Sequence, residues 1–165
     1  MDNTERFLRH NAWATRVLLE RCRSLTRQQF HQRFEIGPGS LHDTLRHIIS
    51  VMRRWANRIA DRPPGNPIEE SPTTHTPDEL LALLGEVNRE LEDIALRVAR
   101  EARFDEMMRV EFTPERFSRG TAFVHVITHG AHHRAQVLNM LRRLRVTDLP
   151  ELEAIEWELR TRTGD

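Results

Sequence analysis

Four long stretches of this chain carry apolar residues three and four positions apart, a spacing that places them on one face of an α-helix. We predict helices over residues 4–24, from Ser40 to the prolines at 63–64, over residues 76–103 and over residues 117–145. A helix with one apolar face must bury that face against neighbouring elements. The sequence therefore predicts an all-α fold, a four-helix bundle with a short C-terminal helix.

Local signals mark where these helices begin and end. Ser40 follows the loop Gly37-Pro38-Gly39 and is a favourable N-cap for the second helix. Thr76 and Pro77 open the third helix, with acidic residues following near the positive end of the helix dipole. Three shorter elements are also predicted, namely a turn of helix after Thr26, a short strand or extended link at Met108–Phe112, and a last helix at about 151–161.

Length and composition limit the classes of protein to which the chain can belong. Its 165 residues, of which 25 are basic and 25 acidic, predict one domain over residues 1–165. The balanced charge predicts no nucleic-acid partner and no attraction to a membrane surface. The single cysteine excludes an internal disulfide framework. The polar N-terminal residues and the short apolar runs lead us to expect neither a signal peptide nor a membrane-spanning segment. We expect a cytoplasmic protein in which Cys22 is a buried or half-buried, inert thiol.

Three histidines, His125, His129 and His133, recur at every fourth residue of the predicted fourth helix. Side chains four residues apart stack on one helix face, so two imidazoles spaced in this way can bind one divalent ion. His129 and His133 lie at the rim of the apolar arc of this helix, whereas His125 lies further round, towards the polar side. No Glu follows His129, which excludes the HExxH motif of zinc proteases, so a third ligand has to come from elsewhere.

The second predicted helix offers His47, which also lies off the centre of its apolar stripe. A pair at four-residue spacing and a third histidine at another rim favour metal ligation, but hydrogen-bonded structural histidines at a helix seam fit the same pattern. Arg134 is predicted to be a surface or ion-pair group, with anion binding as the alternative. The remaining histidines are predicted to be ordinary surface groups: His10, His31, His42, His75 and His132.

Three stretches of the chain resemble the DinB family, the DNA-damage-inducible metal-dependent hydrolases of the DinB/YfiT-like superfamily. The sequence HNAWATRVLL at 10–19 resembles the family motif YNxWANxRLL, GSLHDTLRHI at 39–48 resembles gSixetLxHi, and 125–136 resembles HxxxHxxxHRGQ. The likeness extends from the first to the fourth predicted helix. The chain departs from the family in having Ala135 where Gly is usual, and it contains no tyrosine that could assist catalysis.

The resemblance implies a four-helix bundle, often dimeric, with a mononuclear metal site formed by His47, His129 and His133. Imidazoles suit zinc, nickel, copper or iron, and we expect zinc or nickel. Three neutral imidazoles leave the charge of the ion uncancelled and one position open, where a water or a thiol loses its proton more readily. Superfamily members include transferases and isomerases that use low-molecular-weight thiols. A thiol cosubstrate, a small-molecule substrate and a homodimer are therefore also expected.

Three hypotheses of function remain open at this point. The first is a metal-dependent enzyme, a hydrolase or a thiol-dependent transferase, whose catalytic residues the sequence does not assign. The second is a non-catalytic, stress-induced protein that binds a metal or a small molecule. The third is a helical protein whose histidines are purely structural.

Overall fold

The structure, a computed structural model, describes residues 1–163 and is mostly helical, with 65% helix. The last two residues of the predicted domain, 164–165, lie outside the described part, and the single-domain assignment stays a prediction. The elements are α1 Asn3–Cys22, α2 Arg27–His31, α3 Leu41–Ile59, α4 Pro77–Arg100, β1 Met107–Val110, β2 Thr113–Ser118, α5 Arg119–Arg143 and α6 Ala154–Thr163. A single turn of 3-10 helix, Ile68–Glu70, lies in the loop between α3 and α4.

Side-chain caps start α3 and α4 at the residues that the sequence predicts. The Ser40 hydroxyl accepts a hydrogen bond from the backbone N–H of Asp43 at 3.0 Å. Thr76 and Glu79 form a capping box, in which the Thr76 hydroxyl accepts from the N–H of Glu79 and the Glu79 carboxylate accepts from the N–H of Thr76. Each bond satisfies an amide that has no partner within the helix, a contribution of about 1 kcal/mol per cap.

The segment between α4 and α5 forms an antiparallel hairpin that the sequence indicates only in part. The predicted strand or extended link at 108–112 overlaps β1, but nothing in the sequence indicates the second strand, Thr113–Ser118. This strand has no buried residue and lacks the apolar alternation that reveals a half-buried strand. The fourth long helix therefore begins at Arg119 rather than at 117. The all-α class holds broadly, with this small sheet added.

The four long helices share one hydrophobic core. Both α1 and α3 pack against α4 and against α5. The largest fully buried side chains come from all four helices: Leu8, Leu18, Leu19, Leu41, Leu45, Ile48, Ile49, Met52, Ile59, Leu80, Leu91 and Met140. Burying each such side chain stabilises the fold by about 1.5–3 kcal/mol. Side chains that α3 and α5 direct into the seam between them are therefore carried by well-packed helices.

Two expectations drawn from composition concern the single cysteine and membrane insertion. Cys22 is fully buried in α1, and burial raises the pKa of its thiol to about 12. The predicted burial of this thiol is confirmed, and the raised pKa leaves little of the reactive thiolate at neutral pH. Among residues 1–163, no helix combines the length and the apolar character needed to cross a bilayer.

Candidate metal centre

His47 on α3 and the pair His129 and His133 on α5 converge at the seam between these two helices. The Nε2 atom of His129 lies 3.2 Å from Nε2 of His47 and 3.2 Å from Nε2 of His133. One ring nitrogen from each residue lies within 4.8 Å of the other two. All three residues are half-buried, so solvent can reach the cluster. The structure therefore brings together the three histidines that the sequence singles out, while metal binding itself stays a prediction.

The helical period explains how α5 contributes two members of the cluster. Residues four apart lie almost above one another, and the ring centroids of His129 and His133 are 4.3 Å apart. The third member comes from the packing of α3 against α5, which brings the His47 ring centroid to 4.8 Å from that of His133. Spacing along the chain fixes the pair, and tertiary packing supplies the third imidazole.

A carboxylate lies behind His47 on the side away from the cluster. Nδ1 of His47 lies 2.6 Å from Oε1 of Glu69, which belongs to the turn Ile68–Glu70. Burial alone raises the pKa of the Glu69 carboxyl, but hydrogen bonds from His47 and Ser50 outweigh this and hold the pKa below its usual value. The ionised carboxylate accepts the Nδ1–H of His47, so the lone pair of Nε2 faces the other two histidines. Carboxylate partners of this kind commonly orient histidines that bind metals.

Side chains of α3 hold the turn that carries Glu69. The Arg46 guanidinium donates to the carbonyl oxygens of Glu69 at 2.7 Å and of Thr73 at 2.8 Å. The Ser50 hydroxyl accepts from the backbone N–H of Ile68 at 3.0 Å. The same helix thus carries one histidine of the cluster and the groups that position its carboxylate partner. Sequence reasoning does not find Glu69, because it lies 22 residues from His47 in a proline-rich loop.

The side-chain amide of Gln136 orients His133 as the carboxylate of Glu69 orients His47. Nδ1 of His133 lies 2.8 Å from Oε1 of Gln136, which accepts the Nδ1–H and leaves the Nε2 lone pair facing the cluster. The backbone of Gly37 passes directly over this amide, and a Cβ at position 37 would collide with Oε1 of Gln136. Gly37 also has a positive φ of 51°, which glycine adopts at little cost. The loop before α3 is therefore more than a helix breaker, since it packs on the partner of His133.

The electrostatics of the cluster favour the neutral form of the two histidines of α5, His129 and His133. Burial, followed by the charges of His133 and His47, lowers the pKa of His129 to about 3. Burial also lowers the pKa of His133, although the hydrogen bond to Gln136 acts in the opposite direction. Neutral imidazole is the form that binds a metal. The facing lone pairs and the rings oriented from behind make this donor set fit a divalent ion.

His125 and His132, which neighbour the cluster on α5, lie outside it. His125 is exposed, with its ring centroid 5.0 Å from that of Trp55 and 5.5 Å from that of His129. His132 is exposed, as predicted, and accepts a hydrogen bond from the Gln136 amide nitrogen at 3.0 Å. The two therefore provide controls within the same helix.

The prediction that His42 is an ordinary surface group is wrong. Its side chain is buried, and both ring nitrogens are engaged within the protein. Nδ1 donates to the Asp43 carboxylate at 2.9 Å, and Nε2 accepts the backbone N–H of His75 at 3.1 Å. His42 therefore ties the start of α3 to the residues that precede α4, which is a structural role.

The prediction for Arg134 as a surface or ion-pair group is also wrong. Only 3% of the residue is exposed, and its Nη1 donates to the Asn11 side-chain oxygen at 2.7 Å and to the Thr15 hydroxyl at 3.3 Å. Burial lowers its pKa to about 10, so it still carries its charge at neutral pH. The apolar stripe of α5 alone does not reveal that this side chain faces α1.

Acidification is expected to destabilise the metal-free protein as the pH falls from 6.5 towards about 3. In this range His129 is protonated in the unfolded chain but stays neutral in the folded chain. The unfolded state therefore binds more protons, and the free energy of unfolding decreases as the pH is lowered. Thermal melts recorded from neutral to acid pH measure this loss. His129→Gln removes the titrating group and should flatten the dependence. If the variant and the parent chain lose stability in parallel, His129 is not responsible.

Comparison with known proteins identifies a family over most of the chain. The model of the DinB family matches residues 1–151, which include α1 to α5 and all three histidines of the cluster. The helix α6 follows the matched segment. No curated protein was found to match the chain.

Proposed function

The chain belongs to the DinB family, and we propose that it is a metal-dependent enzyme of the hydrolase or thiol-dependent transferase type. In this proposal His47, His129 and His133 hold one divalent ion, zinc or nickel, within a four-helix bundle of DinB/YfiT-like type. The observation that carries the proposal is the convergence of three Nε2 atoms, with His129 Nε2 at 3.2 Å from each of the others.

Two features of the donor set support metal binding over a purely structural role. Structural histidines usually pair each nitrogen with a donor or an acceptor, as His42 does. In the cluster, three Nε2 atoms face one another, and a single proton satisfies only one of their contacts. Hydrogen bonds at Nδ1 of His47 and of His133 orient two of the rings from behind. A single cation would bind all three facing lone pairs and remove the repulsion between them.

The bound ion would supply Lewis acidity, lowering the pKa of a water or of a low-molecular-weight thiol at its open position. The protein side chains provide the positioning. Glu69 keeps the proton of His47 on Nδ1, and Gln136 does the same for His133. The half-buried position of the cluster leaves it reachable by a small-molecule substrate. Cys22, the only cysteine of the sequence, is buried in α1 and offers no thiol at the cluster. A thiol therefore has to come from solution.

We propose a cytoplasmic homodimer that acts on a small molecule rather than on nucleic acid. The balance of 25 basic and 25 acidic residues supports the absence of a nucleic-acid partner. Exposed apolar side chains, among them Phe112 at 63% and Val124 at 56%, are groups that a second subunit would remove from water.

Cobalt substitution tests both the metal site and the thiol chemistry. We expect one cobalt ion per chain and, on addition of a low-molecular-weight thiol, sulfur-to-cobalt charge-transfer absorption, because a cation stabilises the thiolate. The control variant His132→Ala should reproduce the parent spectrum.

Three results would distinguish the metal-dependent enzyme from the other two hypotheses of function. Absence of cobalt binding would leave the histidines structural. A cobalt spectrum that no thiol changes would contradict the transferase and favour a hydrolase. If, in addition, no ester or amide substrate turns over, the non-catalytic binding protein becomes the better account.

A further inference from the structure

A cavity of about 470 Å³ lies between α1, α5 and α6. Its volume is within the range of roughly 300–1,000 Å³ that is typical of small-molecule sites. It opens on the face of α5 that carries Ile127, Ala131 and Arg134, which by the 100° step lies opposite His129 and His133. Its apolar walls are formed by Phe7, Ile127, Ala131, Ala154, Ile155 and Trp157. The cavity is therefore distinct from the histidine cluster.

A buried guanidinium with no carboxylate partner lines this cavity. Arg134 is 3% exposed, and all of its hydrogen bonds within residues 1–163 leave from Nη1, towards Asn11 and Thr15 on α1. Within those residues, Nε and Nη2 find no acceptor, no acidic side chain forms an ion pair with Arg134, and neither nitrogen is sealed off from solvent. Burying an uncompensated charge is unfavourable. The free Nε–Nη2 edge is the planar fork that binds a carboxylate through two parallel hydrogen bonds.

The local packing fixes this guanidinium in place. A Cβ at Gly130 would lie 2.7 Å from the Asn11 side-chain oxygen and 2.8 Å from Nη1 of Arg134. Glycine therefore allows the guanidinium to lie close against the backbone of α5 while Nη1 is held by α1. The other edge of Arg134 is consequently preorganised, which lowers the entropic cost of binding a ligand.

The charges around the cavity favour an anion. Its lining contains two arginines, Arg6 and Arg134, and one acid, Glu158, a net charge of +1. Glu158 is about half exposed and forms an ion pair with Arg6 at 3.4 Å. His10 donates from Nε2 to the Leu152 carbonyl oxygen at 2.6 Å, and burial lowers its pKa, so it adds no charge at neutral pH. The charge left without a partner is that of Arg134.

We propose that this cavity binds an amphipathic carboxylate, with the carboxylate on the Nε–Nη2 edge of Arg134 and an apolar chain against Phe7, Ile155 and Trp157. Phe7 is 53% and Ile155 76% exposed, so the walls offer apolar surface that a ligand would remove from water. Part of the wall comes from α6, which lies beyond the segment that matches the family model. The site is thus a feature of this chain that is independent of the metal.

Calorimetric titration of the metal-free protein with octanoate tests the proposal. Octanoate should bind with one molecule per chain, at least about 10-fold more tightly than the neutral 1-octanol, because charge-assisted hydrogen bonds distinguish the two. Acetate, which lacks the chain, should show no measurable binding. Equal affinity for octanoate and 1-octanol, or no octanoate binding at millimolar concentration, would overturn the assignment.

Two substitutions locate the binding. Ala131→Phe fills the cavity without removing Arg134 and should abolish octanoate binding, whereas Ala135→Phe places the same ring on an exposed position of α5 outside the lining and should preserve it. Arg134→Met should reduce octanoate affinity to that of 1-octanol. If Arg134→Met does not fold, the alanine pair decides the question. Retained binding in Ala131→Phe, or loss of binding in His129→Ala, would place octanoate elsewhere and contradict the proposal.

Discussion

Replacing His129 with alanine is expected to weaken zinc binding by more than about 100-fold, since loss of an outer partner alone costs about 10–100-fold. We expect His129 to have the largest effect of the three histidines because its Nε2 lies 3.2 Å from Nε2 of both of the others. Competition against a chromophoric chelator at neutral pH measures the affinity. The same substitution should remove the rise in melting temperature on addition of zinc. For a ligand at about 1,000 times its Kd, that rise corresponds to about 4 kcal/mol.

His132→Ala is the matched control for this experiment. His132 lies on the same helix and adjoins His133, but it is exposed and points about 100° away from it. Its replacement removes a hydrogen bond from the Gln136 amide nitrogen but leaves Oε1, which holds His133, in place. Zinc affinity and the zinc-dependent melting shift should therefore stay close to those of the parent chain. Equal losses in His129→Ala and His132→Ala would show that zinc binds non-specifically to surface histidines. Melting curves of the parent chain that do not respond to zinc would contradict the site altogether.

Replacing Glu69 with alanine is expected to weaken zinc binding by about 10–100-fold, although Glu69 need not contact the ion. Its carboxylate accepts the Nδ1–H of His47 at 2.6 Å, which fixes the tautomer that presents Nε2 to the cluster. Glu69→Gln retains an acceptor but not the charge, so its zinc affinity should fall between those of the parent chain and Glu69→Ala. Nitrogen NMR of the His47 ring should show the change of tautomer directly.

Glu70→Gln is the control for the Glu69 variants. Glu70 is exposed in the same 3-10 turn, so its substitution changes the same net charge without touching His47. It should bind zinc as the parent chain does. An unchanged affinity in Glu69→Ala would contradict the role of Glu69 and would argue against His47 as a ligand. A loss shared by Glu69→Gln and Glu70→Gln would indicate a long-range charge effect instead.

The histidine pair and the helix starts could be predicted from the sequence because both depend on contacts within a few residues. A four-residue spacing places His129 and His133 together whatever the rest of the fold does. An N-cap such as Ser40 likewise acts on an amide three residues away. His47 needed additional information, namely its position on a helix rim together with the family likeness.

The residues that sequence reasoning misplaced or missed depend on which elements pack together. Arg134 and His42 are polar residues, but neighbouring elements bury both of them. Their nitrogens form hydrogen bonds to those elements. Glu69 reaches His47 only because Arg46 and Ser50 fold a loop back onto α3. No periodic pattern encodes such contacts, since they join residues far apart along the chain.

The seam between α3 and α5 has a consequence for the kinetics of unfolding. His47 and His129 are 82 residues apart, so an ion held between them would close a long loop, as a reversible cross-link does. Separation of the two helices would then require loss of a coordination bond before the core could open. A zinc-loaded chain should consequently unfold more slowly than the metal-free chain, and removal of the metal by a chelator would determine how long the folded molecule persists.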